Sequence, residues 1–368
     1  MIEHLYFHIP FCHRVCPYCS FYKHTPGATP MTGFVEALLA ELDRQNDAHD
    51  LKPRTLYFGG GTPTALSETH LENLLSGLRS RLDFSGVAEF SVEANPRTVT
   101  PSKADMMRRL GVTRVSLGIQ AWDAETLHTL GRDHEPDEAG ETWRVLQQAG
   151  FSSLNMDLMF SIPGQPAEVW RRTVEKAVTL QPDHISAYNL NYEEDTEFFQ
   201  RLRRGQYHED DSRDAEHFYL ALDVLETAGY EHYEISNYAR PGHRSLHNES
   251  YWLGRDYLGF GPGAFSTVAD FRWKNVADTA EWMRRASSGN SAAEPAEEIN
   301  DAARRVERFG LELRTARGLP LNLVLPAQRP MLETLEKEGL LLVAGGRVRL
   351  TRAGKPLVDS VAVALMGN

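Results

Sequence analysis

Short apolar runs rich in β-branched residues recur through the first half of the chain, at positions 5–9, 55–58, 89–93, 114–119, 153–160 and 184–190. Between and after them lie stretches with apolar residues at helical spacing, at 34–46, 68–82, 102–110, 137–149, 167–180 and 212–228. Strands alternating with helices in this way predict parallel βα units. The pattern fades after about residue 236, so six units and a partial (β/α)6 barrel fit better than a complete eight-unit barrel. Polar or glycine-rich residues fall at or near the C-terminal end of nearly every strand: a cysteine cluster, then 59–64, Glu93-Ala94-Asn95, Gln120 and Asp157. In a βα barrel that end carries the active site, because loops from all strands converge there. A doubly wound sheet would concentrate function at one switch point instead. The open α/β barrel is therefore expected.

The remainder of the chain reads differently. Residues 237–266 are rich in His, Asn, Tyr, Trp and Gly and do not form a further βα unit. A polar, Ala- and Glu-rich stretch at 287–298 reads as a linker. Helical patterns follow at 302–313 and 330–338, and an apolar run at 340–350 is broken by Gly345-Gly346, which predicts a hairpin turn. Helix, helix and hairpin resemble a small winged-helix-like module. The expected division is a core barrel over 1–236, an accessory hairpin region over 237–286, the linker at 287–298 and a small C-terminal domain over 299–368. From residue 301 onward, eleven Lys and Arg stand against seven Asp and Glu. So mild an excess points to a packing or lid role rather than DNA binding.

The formal net charge of −12 argues against a general nucleic-acid binder, whose affinity would come from neutralising phosphates. It leaves room for a compact anionic ligand in one local basic pocket. No charged-then-apolar leader opens the sequence, and no apolar run approaches the ~18 residues of a transmembrane segment. A cytoplasmic protein is expected. All three cysteines lie between positions 12 and 19, and an odd number in so short a span is a poor disulfide framework.

Those cysteines, Cys12, Cys16 and Cys19, are spaced C-x3-C-x2-C in the loop after the first strand. Three thiolates can hold three corners of a [4Fe–4S] cubane and leave one iron open. An open iron can chelate the amino and carboxylate groups of a methionine moiety, and electron transfer into the adjacent sulfonium then cleaves a C–S bond. The alternative is a zinc site completed by His8, His13 or His24, although zinc favours four ligands and often paired C-x2-C units. After the second strand comes Gly59-Gly60-Gly61-Thr62-Pro63-Thr64, a run that lets backbone groups approach a ligand closely.

Taken together and in this order, these motifs resemble the radical SAM superfamily, in its oxygen-independent coproporphyrinogen III oxidase-like branch. The resemblance runs from residue 5 to about residue 265, with a plausible counterpart in the C-terminal module. It implies a [4Fe–4S] cluster on the three cysteines and S-adenosylmethionine (SAM) on its open iron. It further implies SAM-binding roles for Gly60, Gly61 and Thr62, and for Glu93, Gln120, Arg132 and Asp157. Arg132 would meet the SAM carboxylate through a charge-assisted bond. Tyr6 and Tyr18 match family positions beside the cluster and the adenine.

Two features distinguish this chain within the branch. The decarboxylating oxidases extend the motif to C-x3-C-x2-C-x-C, whereas Phe21 stands at the last position here. The stretch His247-Asn248-Glu249-Ser250-Tyr251-Trp252 reproduces H-N-x-x-Y-W, associated with the heme-chaperone members. A neutral His247 could ligate heme iron, and Tyr251 and Trp252 offer flat surface to a porphyrin. The bland alternative is a core histidine with aromatic packing. The resemblance implies a heme chaperone that binds heme and delivers it to a recipient hemoprotein, with a reductant protein and a possible homodimer as partners. Radical decarboxylation of coproporphyrinogen III and radical methyl transfer remain as competing functions.

Overall fold

The computed structural model describes residues 1–367. Every expected strand and helix of the first two thirds forms. In chain order these are β1 (Ile2–Ile9), α1 (Met31–Ala48), β2 (Leu51–Gly60), α2 (Glu68–Arg79), β3 (Glu89–Ala94), α3 (Pro101–Arg109) and β4 (Arg114–Gln120). They continue as α4 (Ala124–Thr129), α5 (Pro136–Ala149), β5 (Ser153–Phe160), α6 (Ala167–Thr179), β6 (His184–Asn189), α7 (Glu197–Arg203) and α8 (Asp211–Thr227). The short helices α4 and α7 were not expected, being too brief to show a helical period. Local chemistry sets the helix starts. The Ser67 side chain accepts from the His70 N–H at the start of α2, and Thr100 does the same for Lys103 ahead of α3, where Pro101 takes the first helical position.

Strands β1 to β6 lie side by side in sequence order, each pair parallel. The sheet does not close into a ring, because other strands occupy both outer edges of this array. After α8 come β7 (Glu231–Glu234) and β8 (Asn237–Ala239), and β8 pairs antiparallel with β6. Next come α9 (Leu246–Trp252), β9 (Tyr257–Phe260), β10 (Phe265–Val268), β11 (Phe271–Lys274), α10 (Thr279–Ser287) and β12 (Glu297–Glu298). Strand β9 pairs parallel with β1, and β10, β11 and β12 follow antiparallel. The accessory region is thus more than a hairpin. It carries a parallel strand of the main sheet and the helix that holds H-N-x-x-Y-W. The stretch 287–298 runs along the sheet edge, with the Glu294 N–H on the Lys274 carbonyl at 2.8 Å and Ala292 buried. Edge strand β11 has backbone groups that need partners, and this segment supplies them.

The C-terminal module comprises α11 (Asp301–Leu313), β13 (Leu319–Pro320), α12 (Arg329–Lys337), β14 (Leu341–Ala344), β15 (Arg347–Leu350) and α13 (Val358–Met366). It has its own core, including Phe309, Leu313, Leu335, Val348 and Leu365. Gly345 and Gly346, both at positive φ, form the β14–β15 turn. Among the described residues no helix is long and apolar enough to cross a membrane.

Candidate functional site

At the C-terminal end of the parallel strands a cavity of about 380 Å³ opens. Cys12, Cys16 and Cys19 line it from the loop after β1, together with Tyr18. Gly60, Gly61 and Thr62 line it from the end of β2, and Glu93, Gln120 and Asp157 from β3, β4 and β5. Arg132 arrives from the segment after α4. Eleven of the twelve residues assigned to cluster and SAM therefore share one space. The exception is Tyr6. Its hydroxyl donates to His8 Nδ1 at 3.0 Å and its ring stacks on Tyr57, which lies between it and the cavity residue Glu93.

Close approach explains the glycines. Gly60 adopts φ +103°, and a Cβ there would fall 2.4 Å from the His8 ring. A Cβ on Gly61 would fall 2.7 Å from the Pro10 carbonyl carbon. Thr62 is held by the Asn95 amide, which donates to Thr62 Oγ1 at 2.8 Å, and the Thr62 hydroxyl lies 3.6 Å from Cys12 Sγ. Gln120 sits at φ +69°, where β4 slips its register against β5. A non-glycine residue in that region is costly by about 1–3 kcal/mol and persists only where the surroundings enforce it.

The electrostatics are those of a site built for a charged guest. Burial pushes the Glu93 carboxyl up to about 7, with the Asp157 carboxylate adding to the rise and the Tyr57 hydroxyl, donating at 2.8 Å, opposing it. Burial likewise raises Asp157, against donors on Ser116 at 2.9 Å and Asn155 at 2.7 Å. Burial opposes the charge on Arg132, but the Tyr18 and Cys16 groups beside it more than compensate and leave it firmly protonated. Its Nη2 donates to Asn95 Oδ1 and to the Gly118 carbonyl, both at 2.7 Å, and its Nη1 lies 3.6 Å from Cys16 Sγ. Arg132 Nε and Gln120 Oε1 are buried and without a partner among the described residues. Two close carboxyl groups invite a cationic or hydroxylated ligand, and unspent donor capacity on a buried guanidinium invites a carboxylate. Burial pushes the Cys12 thiol up to about 11 and raises Cys19 as well, so stable thiolates here call for a compensating cation such as iron. Among the described residues no three His, Cys, Asp or Glu side chains converge as one metal ion would require. The three sulfurs nonetheless share one cavity, as the ligands of an iron–sulfur cluster would. The donor set thus fits a cluster with SAM.

Sequence reasoning placed Asn95 at the strand end with Glu93 but missed Tyr57, Ser116 and Tyr188, all of which also line the cavity. The period-2 alternation could have found Tyr57 and Ser116, since Tyr57 precedes Gly59 by two, and Ser116 and Gly118 lead to Gln120.

The H-N-x-x-Y-W helix α9 packs at the opposite, N-terminal end of β1, β2 and β3. Glu89, the first residue of β3, accepts from the Leu246 N–H at 2.8 Å, the His247 N–H at 3.1 Å and the Ser245 hydroxyl at 3.3 Å, which seats the helix start on a carboxylate. His247 is fully buried. Its Nδ1 bonds Thr55 Oγ1 at 2.8 Å and its Nε2 bonds the Tyr251 hydroxyl at 3.0 Å. Burial, with His4 close by, drops its pKa to about 3 and keeps it neutral. With both nitrogens engaged, His247 is placed as a core histidine in this structure, not as an open ligand. Tyr251 borders two cavities and Trp252 one of them. The Tyr57 ring stacks on His247 at 5.0 Å and donates to Glu93, so one side chain spans the two groups of residues.

Comparison with known proteins agrees with this arrangement. The Radical SAM superfamily model matches residues 6–177. The heme chaperone HemW of Mycobacterium tuberculosis is 35% identical over 368 residues, covering 99% of this chain and 94% of its own. The heme chaperone HemW of Bacillus subtilis is 31% identical over 99% of both chains, and that of Escherichia coli 39% identical over 72% of this chain and 70% of its own. Among solved structures, the coproporphyrinogen III oxidase HemN of Escherichia coli superposes with a TM-score of 0.85 at 23% identity, over 99% of this chain and 90% of that one, a likeness of fold. Fold, cysteine loop and cavity define a radical SAM protein, a class that implies SAM and an iron–sulfur cluster. Within that class the chain belongs to the HemW heme-chaperone family.

Proposed function

We propose that this protein is a heme chaperone: it binds heme, shields it from solvent and delivers it to a recipient hemoprotein. The observation that carries the reading is the 35% identity to a heme chaperone across 99% of this chain, which takes in the accessory region and the C-terminal module as well as the barrel. Phe21, 66% exposed where the oxidases have another cysteine, points away from coproporphyrinogen III decarboxylation. In this reading Cys12, Cys16 and Cys19 hold a [4Fe–4S] cluster, which together with SAM supplies one-electron reductive chemistry when bound. Arg132 meets the SAM carboxylate, Glu93 and Asp157 accept from its ammonium and hydroxyl groups, and Gly60, Gly61 and Thr62 bring backbone and hydroxyl against it. Tyr57 orients Glu93, and Tyr18 packs beside Arg132. Tyr251 borders the heme, while His247 holds Tyr251 in place. A cytoplasmic reductant protein supplies electrons, and a homodimer forms when the cluster is present.

Heme transfer tests this reading. Heme-loaded protein mixed with an apo-hemoprotein should regenerate the holo-protein spectrum faster than free heme partitions into it under a heme-scavenging competitor. Vinyl porphyrin appearing from coproporphyrinogen III would instead establish the oxidase, and methylated product with S-adenosylhomocysteine a methyltransferase.

A further inference from the structure

Two larger cavities flank α9, and their charges differ in sign. The first, of about 590 Å³, lies between β6, α8 and the C-terminal module, and shares Tyr188 and Asn191 with the cluster cavity. Asp211, Asp214, Glu234 and Asp359 line it against only Arg314 and Lys355. The second, of about 670 Å³, lies between the α9–β9 turn, the β10–β11 hairpin and α11. Six arginines line it: Arg255, Arg272, Arg304, Arg308, Arg317 and Arg347. Only Asp256, Glu307 and Glu312 oppose them there. A basic cavity on a chain of net charge −12 is a local concentration against the trend of the molecule.

Four of those arginines are spoken for. Arg272 pairs with Glu307 through a bond of 3.0 Å and a shorter one, Arg304 pairs with Asp270 at 2.6 Å, and Arg308 and Arg347 both meet Glu312. Among the described residues, Arg255 and Arg317 have no carboxylate within 4.0 Å and no side-chain hydrogen bond. Apolar and aromatic wall comes from Leu253, Ile299, Leu311 and the Tyr251–Tyr257 pair, whose rings meet edge to face at 4.5 Å. The volume falls in the range of about 300–1,000 Å³ that holds a compact organic ligand.

We propose that this arginine-lined cavity is the heme site, with the two propionates on Arg255 and Arg317 and the macrocycle against the Tyr251 side of α9. The proposal rests on the heme-chaperone reading and adds to it the place and the recognition chemistry. Heme propionates are ionised at neutral pH, so the acidic cavity on the other side of α9 repels what this one attracts. A guanidinium takes a carboxylate in a two-pronged bond, which lysine cannot reproduce.

The test is an absorbance titration of the cluster-loaded full chain with hemin and with hemin dimethyl ester, whose propionates carry no charge. Arg255→Gln/Arg317→Gln should bind hemin about tenfold or more weakly, while its affinity for the ester matches that of the unsubstituted protein. Both arginines are exposed and unpaired, so the variant keeps the fold. Asp211→Asn/Asp359→Asn, in the acidic cavity, should leave hemin affinity unchanged. Rising salt should weaken hemin binding to the unsubstituted protein and spare the ester. Undiminished hemin binding by the arginine variant, or tighter binding by the aspartate variant, would overturn the placement and leave the chaperone reading standing. No saturable hemin binding by the unsubstituted protein would overturn both.

Discussion

At Gly60 the backbone turns through φ +103° with the His8 ring 2.4 Å from where a Cβ would sit. Alanine there meets both a conformational and a steric penalty, so Gly60→Ala should lower SAM affinity at least tenfold by calorimetry, with the far-ultraviolet spectrum retained. Tyr57→Phe removes the hydroxyl that donates to Glu93 at 2.8 Å and leaves a buried carboxyl short of a donor. A loss of this kind costs about 1–3 kcal/mol. SAM should bind the variant several-fold more weakly, and unaltered binding would remove Tyr57 from the site. The cysteines and glycines were legible because their chemistry and spacing are written in contiguous sequence. Gln120 was legible as a strand-end polar residue, yet its positive φ was not, since that depends on a register slip between β4 and β5. Tyr57 was hidden because a tyrosine in a strand reads as core.

Among the elements, α9 depends most on distant residues. It spans only Leu246–Trp252, too short to hold a helix by itself, and its first turn is anchored on Glu89, more than 150 residues earlier. Glu89→Ala should destabilise the protein by about 2 kcal/mol in urea unfolding, loosen α9 and shift Trp252 fluorescence. A null effect on both would show that the helix is held by packing alone. The alternation of strands and helices made β1 to β6 readable, since each unit carries its own period. Strand β9 was not readable as a sheet partner of β1, because four residues carry little pattern and the pairing is long-range. The stretch 287–298 looked like a linker for a similar reason. Its polar composition hid a backbone role along β11.

Across the whole molecule, buried histidines set the acid response. Burial lowers His8, His134 and His232 to about 4 and His247 to about 3, and it lowers His4, His184 and His217 as well. A base whose folded pKa is depressed is neutral in the folded state, while its unfolded counterpart takes up a proton below about 6.5. These groups therefore contribute stability that is intact above about pH 6.5 and is lost as pH falls towards 4. Burial raises Glu41 to about 7, despite donors on Gly261 and Asn275 at 2.8 Å, and Glu93 to about 7, which works in the opposite direction between about 4.5 and 7. Burial raises Asp157 as well, but seven bases against three such acids leave the net trend with the histidines. The urea midpoint should fall from pH 6.5 to pH 4.5, and a flat or rising midpoint would show that the histidines are already solvated or paired.

As a heme chaperone, this radical SAM chain carries heme. The most direct measurement is an anaerobic titration of the cluster-loaded protein with heme, followed by absorbance. A saturable transition near one heme per chain, with a spectrum distinct from free heme, is the predicted result. A linear rise with no saturation, and a spectrum identical to heme in buffer, would contradict it.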